Sequence, residues 1–237
     1  MASFVFSPPW FYGADIAIDV ISFITLALVA IVSYRFFRFD RGHKLPLYLS
    51  LAFGVMAAAF LAKIGTYSLI YFYKNLNIQH IGMVKQVLST EVAGNRPSYW
   101  GFSIGIVAYY FLYLTGLYML YCIYQERLIR SDALITLLGF FLITYFSHNN
   151  YFAFHIMALL LLLLISSTYY YAFQRNKKDT TLILMSGFML LAVSQAFFIF
   201  KTWSSYIYIG AQGIQLIGHL GLLTAMILVF HHGKKKK

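Results

Sequence analysis

The sequence has little charge and almost no cysteine. Only 11% of its 237 residues are Asp, Glu, Lys or Arg, whereas 61% are hydrophobic, and the mean hydropathy is +0.73. A soluble domain of this size could not hide so much apolar surface, because much of any fold stays exposed. The single cysteine, Cys122, excludes a disulfide within the chain and a metal site built from several cysteines. A P-loop, a dinucleotide-binding fingerprint and an N-glycosylation acceptor are also missing.

Long apolar runs are the main feature that is present. Several of them approach the ~20 residues that a helix needs to cross a bilayer. We predict an all-α integral membrane bundle of seven transmembrane helices, forming a single domain over residues 1–237. The predicted helices span 13–36, 46–73, 99–124, 132–148, 150–173, 179–201 and 204–231, and the one sizeable loop, on the outer side, spans 74–98. The first segment lacks a basic n-region, so we expect a retained helix rather than a signal peptide.

Lysine and arginine are distributed unevenly between the two sides of this bundle. Thirteen of the 18 fall on one side, at Arg35, Arg38, Arg41, Lys44, Arg127, Arg130, Arg175, Lys177, Lys178 and Lys234 to Lys237. The positive-inside rule therefore predicts an N-terminus outside and a C-terminus in the cytoplasm. We expect the protein to lie in the cell membrane. This asymmetry explains most of the net charge of +11 without a nucleic-acid partner. The basic inner loops are candidate contacts for a protein partner.

Two opposite charges lie at the same predicted depth on neighbouring helices. A helix rises about 1.5 Å per residue, which places Asp19 roughly 24 Å above Arg35 on the first helix. The same rise places Lys63 roughly 26 Å above Pro46 on the second helix. Charges inside a membrane are costly and usually pair, so we predict an Asp19–Lys63 ion pair. It could line a ligand site or only clamp the two helices together.

Further polar residues are predicted in the same outer half of the bundle. On the seventh helix, Tyr208, Gln212, Gln215 and His219 follow i, i+4, i+7, i+11 spacing and share one face. We define the polar cluster as Asp15, Asp19, Lys63, Gln195, Gln212, Gln215 and His219. Above an inner half filled with Leu, Phe, Met and Val, this cluster would form an outward-facing polar pocket for a small molecule or a lipid.

Histidines raise the question of a metal. His148, His155 and His219, with Asp19, could supply the nitrogen and oxygen ligands that zinc accepts. Three histidines and an aspartate resemble the ligand set of seven-helix membrane hydrolases of the ceramidase and adiponectin-receptor type. The sequence departs from that pattern, because no second intramembrane histidine lies one helical turn from His219. A haem held by His155 and His219 is a further alternative. No cofactor is required by the sequence, and a retinal protein is excluded because the seventh helix carries no lysine.

These observations favour a binding protein over an enzyme. The topology resembles that of seven-helix receptors, so we predict a receptor-like or ligand-binding module, or a membrane subunit. The alternative is a metal-dependent intramembrane hydrolase using His148, His155 and His219. A third possibility is a small transporter using Asp19, Lys63 and Glu91, although the sequence has no convincing internal repeat.

Overall fold

The apolar runs form helices, as a bilayer demands of segments that must satisfy their own backbone hydrogen bonds. The computed structural model describes residues 7–11, 13–39, 42, 44–79, 97–124, 132–147 and 151–234. Within these ranges it contains a short 3-10 helix, Pro9–Phe11, then seven α-helices and no strand. The α-helices are α1 (Ala14–Phe39), α2 (Leu45–Gln79), α3 (Pro97–Tyr124), α4 (Asp132–Ser147), α5 (Phe152–Asn176), α6 (Asp179–Ile199) and α7 (Ser205–Lys234). The predicted all-helical, seven-helix architecture is confirmed for the described part of the chain.

Six of these helices are long and apolar enough to cross a membrane, which indicates a multi-pass membrane protein. The qualifying segments are Ala14–Phe39, Leu45–Leu69, Ile104–Ile123, Phe152–Asn176, Asp179–Ile199 and Ser205–Val229. The remaining helix, α4, has only 16 residues. It rises about 24 Å, less than the roughly 30 Å of a bilayer core. Large apolar side chains such as Ile24, Leu28 and Ile31 are exposed along α1, as expected for contact with lipid.

The predicted outer loop 74–98 is too long at both ends. The helix α2 continues to Gln79, and α3 begins at Pro97. Hydropathy ended the second helix near Lys74, where polar residues begin. A helix does not need apolar residues to continue once it is formed, because each further residue adds a hydrogen bond to the existing ladder. The rest of this loop lies outside the described residues, as do Glu91 and His148.

Six helices form a closed ring, which creates an interior between them. Going round the ring, α1 packs on α2, α2 on α3, α3 on α5, α5 on α6, α6 on α7, and α7 on α1. The short helix α4 packs against α3 and α5. Helices that are neighbours in sequence are therefore mostly neighbours in space, as their short connections favour.

The half of this interior that lies away from the N-terminus is packed mainly with apolar side chains, as predicted. Its buried members include Leu26, Val29, Phe53, Met56, Leu117, Leu120, Ile165, Phe188 and Leu222. Two glycines also let α6 and α7 approach closely there. A Cβ atom on Gly218 would lie 3.1 Å from the carbonyl oxygen of Gly187 and 2.8 Å from Leu191 Cγ. Most members of the predicted polar cluster lie in the other half.

Candidate functional site

The predicted pairing of Asp19 with Lys63 is present between α1 and α2. Lys63 Nζ donates a hydrogen bond to Asp19 Oδ1 over 2.7 Å. Both side chains are buried, with 0% of the Asp19 side chain and 7% of the Lys63 side chain exposed. The second carboxylate oxygen, Asp19 Oδ2, is buried and has no hydrogen-bond partner among the described residues. The pair cancels its own charge and leaves one acceptor atom available.

Aromatic rings surround the Lys63 ammonium. Its Nζ atom lies 5.7 Å from the ring centroid of Phe60, 5.6 Å from that of Tyr67 and 5.5 Å from that of Tyr109. Ring faces attract a cation at such distances, and the attraction grows when water is excluded. These rings therefore help to stabilise the ammonium in the apolar interior of the bundle, where a charge is otherwise disfavoured.

The polar face predicted on α7 points into the ring of helices. Tyr208, Gln212, Gln215 and His219 are all buried. Gln212 Nε2 donates to the Tyr208 hydroxyl over 3.1 Å, which leaves Gln212 Oε1 as an acceptor. Four buried atoms on this face have no hydrogen-bond partner among the described residues: Gln212 Oε1, Gln215 Nε2, His219 Nδ1 and His219 Nε2.

His219 also contacts α2 across the interior. Its ring meets Phe60 edge to face, with centroids 5.2 Å apart and planes at 86°. Because α1 separates α2 from α7 in the ring of helices, this contact crosses the interior. Phe60 in turn packs edge to face against Tyr109 and Tyr113 of α3. Side chains from α2, α3 and α7 therefore converge.

A second polar pair joins α5 and α6. His155 Nδ1 and Gln195 Oε1 lie 2.8 Å apart, and both side chains are buried. An amide oxygen can only accept, so in this arrangement His155 Nδ1 carries the proton. His155 Nε2 is then an acceptor, and it has no partner among the described residues. The imidazole stacks on Phe198 with centroids 5.2 Å apart and planes at 16°.

An aromatic band connects these polar groups around the interior. We define it as Tyr109, Phe154, Phe198 and Tyr208, together with the His155 ring. Tyr109 lies 5.7 Å from Phe154, which lies 4.9 Å from His155, between ring centroids. Phe198 then lies 5.9 Å from Tyr208, which bonds to Gln212. The band runs from the Asp19–Lys63 pair to the polar face of α7 through side chains of α3, α5, α6 and α7.

Asp15 belongs to the predicted polar cluster but has a local role at the start of α1. It is fully buried, and its Oδ1 accepts hydrogen bonds from the backbone N–H groups of Gly13 and Ile16, at 3.1 and 2.9 Å. The first N–H groups of a helix have no partner within the helix, and a side-chain oxygen commonly supplies one. Asp15 therefore fixes the helix end rather than reaching across the interior through that atom.

Lys201 is a buried charge that the predicted cluster omitted. The helix α6 ends at Ile199, so Lys201 lies in the connection to α7 rather than in the predicted sixth helix. It is only 7% exposed, and its Nζ lies 4.1 Å from the ring centroid of Tyr151. Burial, and then the positive charge of Lys63, lowers the pKa of Lys201 to about 7.

The histidines proposed as metal ligands are only partly placed. His155 uses Nδ1 toward Gln195, and His219 packs against Phe60. The described residues contain no group of three His, Cys, Asp or Glu side chains that could hold one ion, and His148 lies outside them. The metal site stays a prediction.

Comparison with known proteins adds no assignment. No family model matches the chain, and neither a curated protein nor a solved structure matches it.

Proposed function

We propose that this multi-pass membrane protein is a non-enzymatic binding module, either a receptor-like protein or a membrane subunit, with a ligand site between its helices. The observation that carries the proposal is the face of α7. Four atoms of Gln212, Gln215 and His219 are buried there without a hydrogen-bond partner among the described residues. Buried polar atoms in native proteins are nearly always hydrogen-bonded.

The energetic cost of these four atoms is large compared with the stability of a domain. A buried donor or acceptor without a partner costs about 1–3 kcal/mol, so four such atoms cost on the order of 4–12 kcal/mol. A domain has a total stability of only about 5–15 kcal/mol. Atoms with this cost are expected where a bound molecule supplies the missing hydrogen bonds. A small-molecule site is also usually lined by apolar and aromatic side chains with a small number of polar groups among them.

The site opens outward in this proposal. Asp19 and Gln212 lie near the N-terminal ends of α1 and α7, and Lys63 lies in the later part of the membrane-spanning segment Leu45–Leu69 of α2, so all three belong to the half that carries the N-terminus. Exposed basic residues lie at the opposite ends, at Arg35, Arg38, Lys44, Arg175, Lys177 and Lys178. By the positive-inside rule we expect that basic end in the cytoplasm and the binding site toward the outside of a cell membrane. The basic loops are then available to a protein partner.

Cysteine accessibility tests this proposal with two matched positions on α1. Ser22 and Ser33 are both fully buried, and their hydroxyl oxygens have no partner among the described residues. Ser22 lies in the outer half at the level of the site, and Ser33 lies about three helical turns further toward the basic end. Both changes to cysteine are nearly isosteric. The only native cysteine is removed first by Cys122→Ala.

In sealed right-side-out vesicles, a membrane-impermeant methanethiosulfonate reagent should modify Ser22→Cys and leave Ser33→Cys unmodified. The mass of the intact protein reports the modification. Equal modification of both positions would mean that the interior does not close toward the cytoplasm. No modification of either would mean that no outward-facing site exists.

A further inference from the structure

We infer that the proposed site takes a neutral, planar ligand with a hydrogen-bond donor and an acceptor on one edge, which is the chemistry of a primary amide or an amide-bearing heterocycle. The inference rests on the proposed function and names the class of ligand that it binds. Three features of the interior carry it: the mixed donors and acceptors on α7, the aromatic wall opposite, and the charge already compensated between α1 and α2.

The polar face of α7 offers donors and acceptors side by side. The bond from Gln212 Nε2 to the Tyr208 hydroxyl orients the amide so that Oε1 is the atom left to accept. Gln215 Nε2 is left to donate, and a neutral His219 imidazole contributes one donor and one acceptor. A carboxylate ligand would satisfy only the donors, and an ammonium only the acceptors. An amide edge satisfies both.

Aromatic rings form the side of the interior that faces α7. Phe60 meets the His219 ring at 5.2 Å, and Tyr109 and Tyr113 lie 5.9 and 6.1 Å from Phe60. All four side chains are buried. Offset stacked or edge-to-face contact with such rings favours a flat, unsaturated ligand.

The nearby charges favour a neutral ligand. Asp19 and Lys63 neutralise each other across 2.7 Å. A charged ligand would bring a third charge into an apolar interior, where an ion without a counter-ion is strongly disfavoured. The available oxygen Asp19 Oδ2 can still accept from a neutral N–H group. Lys201 lies over the ring of Tyr151, at the connection between α6 and α7.

Four small probes with the same ring separate the possible ligand classes. Benzamide carries a donor and an acceptor, N,N-dimethylbenzamide only an acceptor, benzoate a negative charge and benzylammonium a positive one. The measurement is the rise of the thermal unfolding midpoint with probe concentration, in detergent, which gives an apparent dissociation constant for the folded protein. Benzamide should bind at least about tenfold more tightly than the other three, because each of them leaves buried polar atoms unsatisfied.

Two variants and one control locate the binding. Gln215→Leu removes the donor at Gln215 Nε2, and His219→Phe removes both ring nitrogens while keeping an aromatic ring against Phe60. Each should weaken benzamide binding about tenfold or more. Thr224→Val is the control, because Thr224 is exposed on α7 and its hydroxyl bonds only within the helix, to the Leu220 carbonyl. Thr224→Val should leave benzamide binding unchanged. Any shift of the unfolding midpoint that comes from probe dissolved in the detergent should be the same in this control as in the site variants.

The outcomes separate this inference from the proposed function. A preference for benzamide that both site variants abolish supports both. A preference for benzoate, benzylammonium or dimethylbenzamide that depends on the same residues overturns the ligand class and keeps the binding function. Shifts that are equal in the wild type, the site variants and the control overturn both.

Discussion

The ion pair between Asp19 and Lys63 predicts a specific pattern of stability losses. Asp19→Asn leaves the Lys63 ammonium buried without a counter-charge, and Lys63→Met leaves the Asp19 carboxylate in the same position. Removing one member of a buried pair costs about 3–5 kcal/mol. The loss has a ceiling, because the remaining group can change its protonation state. At pH 7 that costs about 4.6 kcal/mol for an amine of ordinary pKa ~10.4 and about 4.2 kcal/mol for a carboxyl of ordinary pKa ~3.9.

The double variant should lose far less than the two single losses added together. With Asn at 19 and Met at 63, neither of these two positions carries a charge, and replacing a whole buried pair by neutral residues is often nearly free. We expect a loss of no more than about 2 kcal/mol and therefore a coupling energy of about 4 kcal/mol or more.

Unfolding of the purified protein by a denaturing detergent in mixed micelles, followed by circular dichroism, gives the four free energies of the cycle. Asp179→Asn serves as a control for the same change at an exposed position on α6, where surface substitutions usually alter stability by about 0.5 kcal/mol or less. Losses from Asp19→Asn and Lys63→Met that add within about 0.5 kcal/mol would refute the reasoning, because independent sites behave in that way.

Three further predictions concern pH, packing and topology. Because the folded state holds the Lys201 pKa at about 7, below its ordinary value, the folded protein binds fewer protons than the unfolded chain above that pH. The free energy of unfolding should therefore rise from pH 7 toward pH 10 by up to about 1.4 kcal/mol per pH unit. Lys201→Met should abolish this rise, and Lys177→Met, at an exposed position, should not. Gly218→Ala should lower the thermal midpoint, at a cost of about 1–3 kcal/mol, because its new methyl group would crowd the neighbouring helix. Gly210→Ala on the same helix meets nothing within 4 Å and should leave the midpoint unchanged or slightly raised. Finally, a tag fused to the C-terminus should resist a protease added outside intact cells and become accessible only after lysis.

Local sequence properties suffice for the helices and for the first charge pair. Apolar runs of bilayer length and their polar interruptions predict seven helices, because a segment in lipid must satisfy its own backbone. Asp19 and Lys63 can be paired by their heights above the basic ends of their helices. In the structure those ends are Phe39 of α1 and Leu45 of α2. Measured from them, the two charged residues differ in height by only about 3 Å of helix rise, which is within side-chain reach.

The second polar pair could not be found in this way. The basic ends of α5 and α6 are Asn176 and Asp179. Measured from them, His155 and Gln195 differ in height by about 7 Å of helix rise. The comparison assumes parallel helices whose ends lie at the same level, and under that assumption the two side chains would not be expected to meet. Lys201 was missed for a different reason. Its burial depends on where α6 ends and on Tyr151, which precedes α5, and neither is encoded in the sequence around it.

The packing of α6 on α7 links the apolar half of the bundle to the candidate site. Gly218 packs so close to α6 that a Cβ atom on it would meet Gly187 and Leu191, and His219 is the next residue along α7. A helix advances by about 100° per residue, so fixing Gly218 against α6 also fixes the direction in which His219 points. That direction is toward Phe60, on the far side of the interior. A methyl group at 218 that pushes α7 away from α6 should therefore also shift the His219 imidazole relative to Phe60. Gly218→Ala should accordingly weaken benzamide binding as well as stability, whereas Gly210→Ala should change neither appreciably. A loss of stability with unchanged binding would show that the α6–α7 contact holds the bundle together without positioning His219.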